Sequence, residues 1–388
     1  MSFIENTLED WENLVKKQLK TENIYEILSK DNLENIFVKP YYQNNKKTKI
    51  LPKVEESTHL VAEYQDGLEE QAFAFLLNEN IEALDEKALF VNNPDLAEHI
   101  LTDKTNRYFS LIDVFSDDKM AEINDHLAGE LLSKAFERQI CVDISLHQNA
   151  GASIIQQLTF ALSKSKELVE KFGAEILEKL VFRFAIGSNY FFEIAKLRAF
   201  KYLFNQFSKE FEKDLIPYMF AETSFRNKAK NDAENNLIRS TLELASAMIG
   251  GADAVFSNDY KIENKTELSK EISFKQQVVL AYESIINVFE DATSGSYFVE
   301  DITQQFAEKS WKLFLEIEEN GGYLELLKAG EIQKMIFEQA VKEQSWVEEG
   351  KIKLIGVNLY PKLEKKNSVE ELYNSNEIKA VRLSEMFE

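Results

Sequence analysis

Four clusters of small polar residues carry the groups in this chain that could do chemistry: 145–152, 187–190, 222–227 and 258–260. The first reads Ser-Leu-His-Gln-Asn-Ala-Gly-Ala and holds His147, while His59, His99 and His126 stand outside all four. An imidazole beside the amides Gln148 and Asn149 can pass a proton to or from a reacting carbonyl. The same ring can instead order a strand-to-helix turn through its two nitrogens, and this second role fits better. No further His or carboxylate follows at ligand spacing, so a metal site is the weakest reading. Ser188 and Asn189 precede a helical pattern and, with Glu193, fit an N-cap and its back-bonding carboxylate better than a substrate contact. Arg198 reads as an anchor for that helix, with Glu193 or Glu222 as partner, and Arg226 is the candidate for an anion contact. Cys141, inside an apolar run, reads as core. No Gly-x-x-x-x-Gly-Lys-Ser/Thr, Gly-x-Gly-x-x-Gly or Gly-x-Ser-x-Gly pattern occurs, which removes the nucleotide-loop and hydrolase readings.

The elements that must position these clusters are short apolar runs alternating with helical patterns. The runs are 59–64, 72–77, 88–92, 108–115, 139–146, 180–186, 216–221 and 254–257. Residues 154–172, 191–207 and 233–249 between them repeat apolar side chains every three or four positions. Eight such units predict an α/β fold, a (β/α)8 TIM-type barrel with a parallel sheet, over an open doubly wound sheet. Each polar cluster then follows a strand, where barrels carry their functional loops. Residues 1–57 are expected to form N-terminal helices and an extended arm turned by Pro40, with a loop at 43–48. Residues 58–265 form the barrel core. Residues 266–388 form a helical C-terminal part with helices at 266–290, 303–319 and 337–344 and a late strand at 352–357.

Composition sets outer limits. With 44% apolar residues and 28 Phe the chain can bury a large core. Its 67 acidic against 45 basic residues give a net charge of −22, which repels polyanions and argues against nucleic acid. One cysteine excludes a disulfide framework and fits a reducing cytoplasm. No run is long enough for a membrane span, and the start lacks a secretory pattern.

Several blocks resemble the methylmalonyl-CoA mutase family, in that family's order. They are Arg-Phe-Ala-Ile-Gly-Ser-Asn-Tyr-Phe-Phe-Glu-Ile-Ala-Lys-Leu-Arg-Ala at 183–199, Ala-Glu-Thr-Ser at 221–224 and Asn-Asn-Leu-Ile-Arg-Ser-Thr at 235–241. Gly-Gly-Ala-Asp at 250–253, Gly-Ser-Tyr-Phe-Val-Glu-Asp-Ile-Thr at 295–303, Glu-Ile-Glu-x-x-Gly-Gly at 316–322 and Gly-Val-Asn-x-Tyr at 356–360 complete the set. The resemblance implies a barrel whose active members thread a CoA ester along the axis beneath adenosylcobalamin. Those members carry Tyr-His-Met-Gln-Glu-Ala-Gly-Ala where this chain has Ser145 to Ala152, so Leu146 takes the place of the carbonyl-contacting His and His147 falls one position later. The family's N-terminal Arg-Gln-Tyr-Ala-Gly-Phe arm and its cobalt-binding Asp-x-His-x-x-Gly motif have no counterpart. The departures are similar to those of the family's small subunit. They imply no catalytic residue, no cofactor and no metal on this chain, and a homologous catalytic large subunit that holds adenosylcobalamin. The alternative is an active barrel receiving its B12 domain in trans, with His147, Gln148 and Asn189 as its site.

Overall fold

A computed structural model describes residues 6–43, 50–65, 67–79, 84–100, 102, 105–116 and 120–388. Its strands are β1 His59–Glu63, β2 Ala74–Leu77, β3 Ala88–Val91, β4 Arg107–Ser110, β5 Ile140–Asp143, β6 Leu180–Ile186, β7 Tyr218–Thr223 and β8 Ala254–Phe256. All pair in parallel in the order β4-β3-β2-β1-β8-β7-β6-β5. The outer strands β4 and β5 approach through isolated bridges, Phe109 with Arg138 and Asp113 with Cys141. The sheet is therefore a nearly closed TIM-type α/β barrel. Strands β2, β3 and β7 are buried on both faces, which is why they read as unbroken apolar runs instead of alternating ones.

The helices are α1 Leu8–Leu19, α2 Ile24–Leu28, α3 Pro94–His99, α4 Asp125–Ser133, α5 Ser145–Ala150, α6 Ile154–Phe172, α7 Tyr190–Lys209, α8 Ala233–Ile249, α9 Glu267–Tyr282, α10 Tyr297–Glu319, α11 Gly322–Lys328, α12 Glu331–Glu348 and α13 Val369–Leu372. α6 starts where Ser153 and Gln156 cap each other, Ser153 Oγ accepting from the Gln156 N–H at 3.2 Å and Gln156 Oε1 from the Ser153 N–H at 2.9 Å. The N-terminal arm crosses the C-terminal helices. Gln305 bonds both the N–H and the carbonyl of Phe37, and Gln339 donates to the Leu33 carbonyl.

Several expectations change: the fourth run stops at Ser110, short of 115, and the helix at 337–344 is part of the longer α12. The helix foreseen over 266–290 ends at Tyr282, because the chain beyond turns back so that the Asn287 carbonyl accepts from Thr58 N–H and Lys53 Nζ. The late strand at 352–357 does not form. The Asn358 side chain takes the Val347 and Ile352 carbonyls and the Leu354 N–H, each at 2.7 Å, and folds the segment into a turn instead. The fifth run stops at Asp143, whose carboxylate accepts the Ser145 N–H at 2.7 Å and starts α5. Of the loop expected at 43–48, all but Gln43 lies outside the described residues. Among the described residues no helix is long and apolar enough to cross a membrane.

Candidate functional site

Alternate residues of each barrel strand face the axis. The pairing registers place Phe90 beside Phe109, Val181 beside Cys141 and Tyr218, and Phe220 beside Ala254. With Val61, Ala74, Leu76, Ala88, Leu111 and Phe256 they form a core of their own, each residue at most 9% exposed, separate from the core between sheet and helices. Its centre is aromatic. Phe90 stacks on Phe109 with centroids 4.9 Å apart, Phe90 meets Phe220 at 5.1 Å, and Phe109 meets Tyr218 at 4.9 Å. At these spacings the rings touch across the axis and fill it.

Charge closes this aromatic column at both ends. At the amino end Arg107 bonds Glu55 at 2.7 and 3.0 Å and Glu137 through two bonds of 2.7 Å, with its guanidinium 5.2 Å from the Phe109 ring. At the carboxyl end Arg183 bonds Glu222 at 2.6 Å and approaches Asp143 at 3.4 Å, 6.0 Å from the Phe220 ring. Burial pushes the Glu222 carboxyl up, against the pull of Arg183. Burial works against Arg183 too, yet Glu222 and Asp143 hold it protonated. Cys141 faces the same column, and burial drives its thiol well above the usual range, so it is no thiolate nucleophile.

His147 does not reach this axis. It is fully buried on α5, its Nε2 is 2.7 Å from Tyr323 Oη of α11, and its ring packs on Phe160 of α6 at 5.6 Å. Leu146 is half-buried beside it. Gln148 and Asn189 do come together. Both line a cavity of about 660 Å³ among the loops that follow β5, β6 and β7, walled also by arm residues 31–34, by Trp346 and by residues 351–354. Asn189 makes no side-chain cap on α7, and Glu193 pairs with Lys196 instead of bonding back. Arg198 bonds Asp291 at 2.8 Å and Thr303 at 3.2 Å, neither of the expected partners. Arg226, buried, is taken by Glu343 and by the Val381 carbonyl at 2.9 Å, so it offers no open anion contact. Sequence reasoning missed the aromatic column, Arg183 with Glu222, and Glu34, whose carboxylate accepts the Ile154 and Ile155 N–H groups at 3.0 and 3.3 Å. Alternation within the strands was the available signal, but runs apolar on both faces hide it.

The family model for methylmalonyl-CoA mutase matches residues 119–387, which covers β5–β8 and the C-terminal helices. This chain belongs to the methylmalonyl-CoA mutase family. Its relatives include a methylmalonyl-CoA mutase of Rhizobium meliloti, 33% identical over 59% of this chain and 34% of that protein. A methylmalonyl-CoA mutase small subunit of Porphyromonas gingivalis is 34% identical over 55% of this chain and 37% of the relative. The Escherichia coli methylmalonyl-CoA mutase is 31% identical over 54% and 31%. The chain thus spans about a third of the length of the curated relatives it matches.

The large subunits of this family depend on adenosylcobalamin, whose cobalt the implied motif binds through a histidine. The four histidines here do not fit that task. His59 lies at the amino end of β1 with Glu55 at 3.5 Å, His99 and His126 are exposed on the outer helices α3 and α4, and His147 is bonded to Tyr323. Among the described residues no group of His, Cys, Asp and Glu could hold a metal ion.

Proposed function

We propose that this chain is the small subunit of a heterodimeric, adenosylcobalamin-dependent methylmalonyl-CoA mutase. In this reading it holds neither substrate nor cofactor and supports a homologous large subunit that interconverts succinyl-CoA and methylmalonyl-CoA in the cytoplasm. The observation that carries it is the axis filled by Phe90, Phe109, Tyr218 and Phe220. A thioester threading the barrel would have to displace these rings, at about 3–5 kcal/mol for each buried phenylalanine. Nothing replaces what they exclude. Leu146 cannot donate to a carbonyl oxygen, and the donors around the column, Arg107 and Arg183, are bound to carboxylates. The small-subunit relative from Porphyromonas gingivalis supports the same assignment. An active barrel receiving its B12 domain in trans would need an open axis, and the stacked rings count against it.

Co-expression with a large mutase chain tests the proposal. The two are expected to purify as a one-to-one complex whose turnover persists in His147→Phe and vanishes when the large chain's own substrate site is inactivated. Turnover surviving that inactivation would assign the chemistry to this chain.

A further inference from the structure

Two sides of the barrel treat their outer helices differently. α10 lies across α6 and α7, where Thr159 donates to the Ser310 carbonyl at 3.1 Å. There Phe306 meets Phe192 at 5.5 Å and Phe314 meets Phe207 at 5.8 Å. α8 and α9 have no such cover. Ile238 and Leu242 stand one turn apart on α8, and Val279 and Tyr282 one turn apart on α9. The bond from Thr241 Oγ1 to Gln276 Oε1, at 2.8 Å, holds the two stripes side by side. At the amino end of the barrel Tyr282 also lines a groove of about 770 Å³ with Phe73 and Ile285. These six side chains are each between 47% and 64% exposed.

Charge avoids the face. Residues 235–249 of α8 include only Arg239 and Glu243 as charged groups. Glu243 is buried against Lys228, and Arg239 is turned to Asn236 and the Ile355 carbonyl. Glu234, Glu283 and the Lys275–Glu271 pair stand at its margin. Glu86, Lys87 and Arg107 line the groove; Lys87 donates to the Glu69 and Ala72 carbonyls, and Arg107 is held by Glu55 and Glu137. The groove also keeps two idle polar atoms, His59 Nδ1 and Asn287 Oδ1, buried without a partner among the described residues. Ile285 has a φ of 54°, a costly conformation for a β-branched residue that nevertheless stays half-exposed.

Six large apolar side chains at about half exposure leave on the order of 500 Å² uncovered. A standard interface takes about 800 Å² from each partner, so this face supplies the apolar centre of one and its charged margin the rim. A second copy would bring a further −22 to the contact, and that self-repulsion favours a different chain.

We propose that the α8–α9 face and its groove are where the large mutase subunit docks, by a helix laid across α8 and α9 as α10 is laid across α6 and α7, with a hydrogen-bond donor entering the groove. The proposal rests on the small-subunit reading.

Affinity of the full chain for a large mutase chain, measured by sedimentation, tests it. Ile238→Lys on α8 and Val279→Lys on α9, made separately, are each expected to weaken the complex at least about tenfold by placing an unpaired charge in an apolar contact. The Tm of the isolated chain is expected to stay unchanged, since both side chains face solvent there. Leu315→Lys on α10, a residue 46% exposed, is expected to leave affinity within about twofold. A wild-type complex that both the α8 and the α9 variants retain overturns the docking face and leaves the small-subunit reading standing. No complex with the wild type overturns both. Self-association of the isolated chain that Ile238→Lys abolishes gives the face to a second copy and likewise overturns the proposal.

Discussion

The two halves of the barrel are built differently. β1–β4 are short strands accompanied by the six-residue α3 and lie outside the region matched by the family model, which begins before the nine-residue α4 that follows β4. β5–β8 carry α6, α7, α8 and α9, of 19, 20, 17 and 16 residues, and lie inside it. Both halves nevertheless contribute to one aromatic column, Phe90 and Phe109 from the first and Tyr218, Phe220 and Phe256 from the second. The axis is thus where the half outside the matched region and the half inside it pack against each other. Helices outside the barrel do not require such a fit; a filled bore does.

That contrast can be broken most severely at its seam. Phe90→Ala with Phe109→Ala removes the first half's rings, and each change costs about 3–5 kcal/mol, the pair less than the sum because the rings touch. Denaturant unfolding reads the loss, and an equal loss from a surface Phe73→Ala, a side chain 64% exposed, would deny the column its role. Next in size, Arg183→Ala strands Glu222, which is 4% exposed, and is expected to cost about 3 kcal/mol. Adding Glu222→Leu should recover most of it, and no recovery would show that the ion pair is not the reason.

A smaller effect separates barrel from arm. Burial raises Glu34 from 4.5 to about 7. Because its folded value lies above its unfolded one, its stabilising share is complete below about pH 4.5 and is lost as pH climbs through about 7. Glu34→Gln is therefore expected to flatten the fall in stability across that window, measured as the difference from wild type by urea titration at several pH values. A parallel pair of curves would count against the buried carboxyl. Smallest of all, Tyr218 Oη is buried without a partner among the described residues. Tyr218→Phe is expected to raise stability by about 1 kcal/mol, and a decrease would reveal a bond to its hydroxyl.

The sequence made the eight strands and the main helices legible because their apolar periods are strong and their caps local. It did not disclose which ring faces the axis. Leu89 and Phe90 are neighbours of similar character, yet Leu89 packs under the helices and Phe90 fills the bore, a distinction set by register with β4. His147 was visible as a candidate, but its direction was not, since that depends on Asp143 turning the chain into α5. Arg198 finds its partner 93 residues away, beyond any local pattern. Gln148 and Asn189 were both recognisable, whereas their meeting in one cavity needed the arm and the C-terminal segment that wall it.

The filled axis is tested most directly by equilibrium titration of the isolated full chain with a CoA ester, read by calorimetry. The account predicts no binding attributable to the bore up to about 1 mM, and the same result in Phe90→Trp. One-to-one binding in the wild type that disappears when Phe90→Trp enlarges the column would contradict it.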